Sequence, residues 1–259
     1  MNIIVCIKQV PDTTEVKLDP KTGTLIREGI PSIINPDDKG ALELALQLKD
    51  QYGAHVTVIT MGLPQADAAL REALAMGVDR AILLTDRKLG GADTIATSRA
   101  IAGAINQLDY DLILAGRQAI DGDTAQVGPQ IAEHLGLPQV SYLVGLDING
   151  KTCRIKKSTE EGYQILECDM PCVFTVLATA NKARYMSVNG IVEAYNREVE
   201  IWNADKIQID ENLLGLKGSA TKVVKSFTKG LKAAGQTYEV TPEEAVDLII
   251  SKLKEKFII

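Results

Sequence analysis

Asn2-Ile3-Ile4-Val5-Cys6-Ile7-Lys8 decides the fold. An unbroken, β-branched apolar run of this length is the pattern of a strand buried on both faces, which belongs inside a parallel sheet. The chain then enters a helix at Asn35-Pro36-Asp37-Asp38. Asn35 is placed to cap, Pro36 fits the first turn, and the two aspartates complement the positive helix end. Ala41, Leu42, Leu44, Ala45 and Leu48 give that helix an apolar stripe, and Gly53 stops it. The cycle repeats. Strands are expected at 55–61, 80–85 and 111–115, and helices at 64–76, 93–107 and 124–135, with Gly77 and Gly136 as stops. Repeated strand–helix units with short connections predict a doubly wound α/β fold, a mostly parallel sheet with helices on both faces. Ligands of such sheets bind beyond the carboxyl ends of the strands. That rule selects the loops at 8–11, 61–64, 85–94 and 116–124.

The second half reads differently. Residues 151–157 and 164–179 alternate as antiparallel strands do, and the antiparallel extension is expected from about residue 139. From 181 to 235 no clean period holds. The stretch still carries Val188, Ile191, Val192, Tyr195, Ile201, Trp202, Leu213, Leu214 and Leu216. That much apolar surface argues against free disorder, and its length argues against an ordinary loop. It either wraps its own domain or packs on another subunit. Thr241-Pro242-Glu243-Glu244 is a capping box opening a last helix to about Lys256. The expected divisions are therefore a nucleotide-binding α/β domain at 1–180, an irregular arm at 181–235 and a C-terminal helix at 236–259.

Composition excludes several function classes. The 259 residues carry a net charge of -6, which disfavours a broad nucleic-acid surface. No apolar run approaches the ~20 residues that cross a bilayer. The N-terminus lacks the basic and small-residue features of a signal peptide, so a cytoplasmic protein is expected. Cys6, Cys153, Cys168 and Cys172 lack metal-ligand spacing and read as structural, with no metal expected. His55 and His134 show no partner for acid–base chemistry, and no catalytic residue is assigned.

The richest stretch is Gly116-Arg117-Gln118-Ala119-Ile120-Asp121-Gly122-Asp123-Thr124-Ala125-Gln126-Val127-Gly128-Pro129. It leaves a strand and runs into a helix. Gly122 permits a tight turn, Asp123 or Thr124 is placed to cap, and the amides of Ala125, Gln126 and Val127 would face an anion such as phosphate. Asp121 and Asp123 sit oddly beside an anion unless one bonds a ribose hydroxyl or backbone amides. Gly90-Gly91-Ala92-Asp93-Thr94-Ile95-Ala96-Thr97-Ser98 is a second glycine-led helix start at the same edge. Thr94 and Thr97 share one face of it. Two such starts suit a ligand with more than one phosphate, or two ligands. Neither is a Gly-x-Gly-x-x-Gly or P-loop signature, which disfavours a conventional dinucleotide dehydrogenase. Lys8 leaves the first strand at this edge as a strand-end charge or a ligand contact.

At these residues the chain resembles the electron-transfer flavoprotein β subunits along essentially its whole length. The matching stretches are Val5-Cys6-Ile7-Lys8-Gln9-Val10-Pro11, Ile34-Asn35-Pro36-Asp37-Asp38, Ala73-Leu74-Ala75-Met76-Gly77-Val78-Asp79, the long loop at 116–129, and Met170-Pro171-Cys172-Val173. The resemblance implies a nucleotide held by Cys6, Lys8, Asn35, Asp38, Met61, Thr94, Thr97, Gly116, Arg117, Gln118, Ala119, Asp121, Gly122, Asp123, Thr124, Ala125, Gln126 and Val127. It also implies tight pairing with an α subunit. Conventional members hold AMP; electron-bifurcating members hold FAD, which accepts hydride from NADH. Small residues at 121–129, Gly90-Gly91-Ala92-Asp93-Thr94, Gly215-Leu216-Lys217-Gly218-Ser219 and Lys225-Ser226-Phe227-Thr228 resemble the bifurcating clostridial-type branch. FAD with NADH as substrate is the expectation, and AMP the alternative. One electron then goes to ferredoxin and one, through the α-subunit FAD, to a partner dehydrogenase. That partner is expected to be an acyl-CoA dehydrogenase-like flavoenzyme of the enoyl-CoA reductase type, with a 2-hydroxy-acid dehydrogenase as the alternative. A stand-alone adenine-nucleotide module is the remaining reading. The resemblance places docking at Val188 and Ile191, on an arm that wraps the α subunit.

Overall fold

The computed structural model describes residues 1–12, 17–18, 25–26, 31–224 and 235–259. It forms two compact units, Met1–Val224 and a second within Lys225–Ile259. The first is built on a nine-stranded sheet. Its strands are β1 (Asn2–Cys6), β2 (His55–Met61), β3 (Arg80–Leu84), β4 (Leu112–Gly116), β5 (Gln139–Asn149), β6 (Thr152–Thr159), β7 (Gly162–Asp169), β8 (Cys172–Val176) and β9 (Glu200–Trp202). Their order is β7-β6-β5-β8-β4-β1-β2-β3-β9. All neighbours run parallel except β5–β6 and β6–β7.

The period-2 alternation of β1 divides the core. Ile3 and Val5 face one apolar cluster with Val56, Val58 and the helices α1 (Pro36–Tyr52) and α2 (Asp67–Met76). Ile4 and Cys6 face the other, with Ile59, Ile82, and residues of α3 (Thr94–Ile105) and α4 (Val127–Leu135). Helices therefore cover both faces, as continuous apolar strands require. The chain proceeds from β1 outward through β2 and β3, then returns to lay β4 on the other side of β1. The carboxyl ends of β1 and β4 thus flank the switch point where open α/β sheets bind ligands.

Three expectations are corrected. The apolar run at 164–179 is two strands, β7 and β8, separated at Met170 and Pro171. The long α4 begins at Val127, not Thr124, because Asp123 and Ala125 take left-handed backbone angles (φ 49 and 52) that no helix continues. The stretch after residue 181 is also not without period. Its helix α5 (Val188–Asn196) packs on α2, and β9 extends the sheet beside β3. Arg71 donates to the carbonyls of Ala194 and Arg197 at 2.6 and 2.7 Å, and Arg80 forks onto Glu200 at 2.5 and 2.9 Å. Residues 181–224 therefore belong to the same compact unit as the sheet. The sequence carries a helical stripe here, Val188, Ile191, Val192 and Tyr195 at i, i+3, i+4 and i+7, and this stripe is largely exposed, so that α5 buries only Ala194 fully.

In the second unit, α6 (Pro242–Glu255) carries the expected capping box, with Thr241 and Glu244 exchanging bonds. The 225–228 stretch lies outside the described residues. No helix among the described residues is long and apolar enough to cross a membrane.

Candidate functional site

Four segments converge at the switch point: the end of β1, the start of α1, the loop after β4 and the start of α3. Asn35 does not cap α1. Its side-chain amide donates to the Gln118 carbonyl at 2.8 Å, and its Oδ1 accepts from the Ile120 amide at 3.0 Å. It is a clamp on the long loop, a role that helix-start statistics could not reveal.

Asp38 ties the other two segments together. Its carboxylate accepts from the Lys8 amide at 2.7 Å and from the Gly116 amide at 3.0 Å. Burial pushes this carboxyl up to about 7 despite those bonds. Neighbouring Asp37 accepts from the Ala178 amide at 2.8 Å and pairs with Arg117 at 3.2 Å. The first turn of α1 is thus the hub from which β1, β4 and the residues after β8 are held.

The raised Asp38 pKa makes a pH prediction. The folded chain keeps this proton between about pH 4 and 7, where the unfolded chain releases it, so stability falls as pH rises through that window. The shift corresponds to on the order of 4 kcal/mol. Asp38→Asn does not titrate. The stability of the native chain minus that of the variant should therefore fall by several kcal/mol between pH 4 and 8 in urea titrations. A flat or rising difference would refute this account of Asp38.

The acidic residues of the loop are satisfied internally. Lys8 Nζ grips both oxygens of Asp121 at 2.6 and 2.8 Å, and Gln118 donates to Asp123 at 2.8 Å. Each acidic side chain thus has a partner: Lys8 ties Asp121 to the end of β1, and Gln118 ties Asp123 within the loop. Gly122 is not forced by geometry, since its φ is not left-handed and a Cβ there would meet nothing within 4 Å. The left-handed residues are Asp123 and Ala125, and alternation of this kind turns successive amides toward one concavity. Gln126, at the N-cap of α4, makes no side-chain capping bond, so the first amides of α4 are left for another partner.

The α3 start meets the loop directly. Thr94 Oγ1 donates to Gln126 at 2.8 Å, and Gln130 Nε2 donates to Thr94 at 3.4 Å. The other oxygen of this group, Gln130 Oε1, is buried with no partner among the described residues. Asp93 caps α3 through the Ala96 amide at 3.0 Å and also accepts from the Thr221 amide at 3.0 Å. Leu216 N reaches the Gly90 carbonyl at 2.9 Å, so the glycine-led turn is held by residues 215–221. Thr97 lies one turn along α3, half-buried, and Met61 lies half-buried at the end of β2. Cys6 faces the α3–α4 cluster, and burial pushes its thiol up to about 12, so it presents a neutral surface.

Other expectations resolve more simply. His134 joins α4 to α3 through Ser98 at 3.1 Å, and burial lowers its pKa. His55 is exposed at the start of β2. Among the described residues no group of His, Cys, Asp and Glu is arranged to hold a metal ion. A cleft of about 460 Å³ lies between α1 and the antiparallel strands β5 and β6, lined by Leu44, Leu143 and Ile155, apart from the residues gathered at the switch point. Val188 and Ile191 are remote from the loop after β4 in the sheet order, on α5, which packs on α2 beside the β3 side of the sheet. Val188 is 83% exposed, with Tyr185 (92%) and Tyr195 (74%) nearby in the chain.

The model of the electron transfer flavoprotein domain matches residues 22–207. The chain is 60% identical over 256 residues to an electron transfer flavoprotein subunit beta of Clostridium acetobutylicum, covering 99% of each. It is 52% identical to the caffeyl-CoA reductase-Etf complex subunit CarD of Acetobacterium woodii, and 46% identical to the acryloyl-CoA reductase electron transfer subunit gamma of Anaerotignum propionicum, each over the full length of both chains.

Proposed function

Because the chain belongs to the electron transfer flavoprotein family, as a β-subunit member, we propose that it is the NADH-reactive small subunit of an electron-bifurcating heterodimer. Its switch-point crevice would hold FAD. The observation that carries this reading is the joining of two adjacent helix starts through Thr94 and Gln126. Two positive helix ends side by side suit a pyrophosphate better than a single phosphate. The buried, unpartnered Gln130 Oε1 between them fits a ligand that brings a donor.

The chain's own residues supply position and electrostatics. The amides at 125–127 would receive phosphate oxygens. Asn35, Lys8 and Asp38 hold the loop in the shape that presents those amides. Thr94 and Thr97 would line the approach of NADH. When bound, FAD supplies hydride acceptance from NADH and one-electron delivery to two acceptors, ferredoxin and the α-subunit FAD. Residues 181–224 would also contribute surface to the α subunit. Val188 and Ile191 on α5 would dock an acyl-CoA-reducing flavoenzyme, a class suggested by the names of two of the relatives.

Coupling is the test. The αβ pair is mixed anaerobically with NADH, ferredoxin and an enoyl-CoA-reducing partner. Ferredoxin should be reduced only when the enoyl-CoA substrate is also present. Equal ferredoxin reduction without that substrate, or no NADH oxidation at all, would refute the bifurcating role.

A further inference from the structure

Three cysteines on three different strands share one apolar cluster. Cys153 on β6 and Cys168 on β7 are directly opposed partners of an antiparallel pair, so their side chains leave the same face. Cys172 begins β8 and is buried in the same apolar cluster. Cys153 and Cys172 are buried in the α1–α2 cluster, and Cys168 packs against that cluster while remaining partly open to solvent. All are free thiols, and they are not arranged as metal ligands.

We propose that this trio is a reversible oxidation site for peroxides, closing a Cys153–Cys168 disulfide. Cys168 is the entry point because it alone of the three reaches solvent. Its sulfur attacks hydrogen peroxide: an S–O bond forms, the O–O bond breaks, and the departing hydroxide takes the thiol proton as water. The Cys153 sulfur then attacks Cys168. The S–S bond forms, the S–O bond breaks, and the second hydroxide leaves with the Cys153 proton as water. Two thiols lose two electrons to one peroxide, giving one disulfide and two waters. Directly opposed residues of an antiparallel pair have Cα atoms about 4.5–5.5 Å apart, inside the range a disulfide spans.

The test uses the full-length reduced chain and a stoichiometric amount of hydrogen peroxide. The intact mass should fall by two hydrogens, peptide maps should show Cys153 joined to Cys168, and dithiothreitol should reverse both. Cys168→Ser should abolish the mass loss. Cys153→Ser should leave a sulfenic acid on Cys168 that dimedone traps. A different pairing, oxidation of Cys168 to sulfinic acid without a crosslink, or an unchanged mass loss in Cys168→Ser would overturn the proposal.

Discussion

Gly116→Ala should destabilise the chain by about 3 kcal/mol and distort the switch-point crevice. A Cβ at Gly116 would overlap Asp38 Oδ1 and lie 2.6 Å from the Asp38 amide nitrogen and 2.7 Å from the Asp37 carbonyl carbon. Two of these three atoms are backbone in the first turn of α1, so no rotamer change relieves them. Moving α1 away would also break the Gly116–Asp38 bond, and with it the junction of β1, β4 and the long loop. Overpacking of this kind costs about 1–3 kcal/mol, and here a buried hydrogen bond is lost as well. The melting temperature should drop by roughly 10 °C. Gly122→Ala is the matched control in the same loop. Its Cβ meets nothing, so its stability should stay within about 0.5 kcal/mol of the native chain. Equal melting temperatures for Gly116→Ala and Gly122→Ala would show that the α1 hub is not rigid.

Val188→Asp should separate folding from partner docking. Val188 is the first residue of α5 and is almost wholly exposed, so a carboxylate there costs the isolated fold little. The helix stays seated through Arg71 and through Gly190, where an added Cβ would collide with the Ala75 carbonyl. If this face docks the dehydrogenase, the same carboxylate becomes buried and unpaired in the complex. Affinity for the dehydrogenase should then fall roughly 100-fold, equivalent to about 3 kcal/mol. Diaphorase activity toward a small dye should be unchanged. Loss of both activities would place Val188 in the structural core, and loss of neither would remove it from the docking surface.

The parallel half of the fold was legible because its signals are local. Apolar strands, Pro36 at a helix start, and Gly53 and Gly136 at helix ends are each decided within a few residues. The strand-end loops follow from the carboxyl-end rule, whereas the switch point between β1 and β4 is visible only in the strand order. What escaped reading depends on contacts between distant segments. Asn35 looked like a cap but bonds a loop some eighty residues away. The left-handed angles of Asp123 and Ala125 carry no glycine to announce them, so the start of α4 was placed three residues early. Asp121 looked misplaced until Lys8 was found on it. Cys153 and Cys168 are brought opposite each other by the pairing of β6 with β7, and the start of β8 brings Cys172 into the same cluster, neither of which spacing along the chain records. Helix α5 is written in the sequence as Val188, Ile191, Val192 and Tyr195 at helical spacing, a short signal set within a long stretch of otherwise irregular sequence.

The central claim is that this chain's crevice holds a dinucleotide, and ligand content tests it most directly. The co-expressed αβ pair should be purified, denatured, and its released ligands separated and counted against protein. The account predicts two FAD per pair and no AMP; one FAD and one AMP per pair would contradict it.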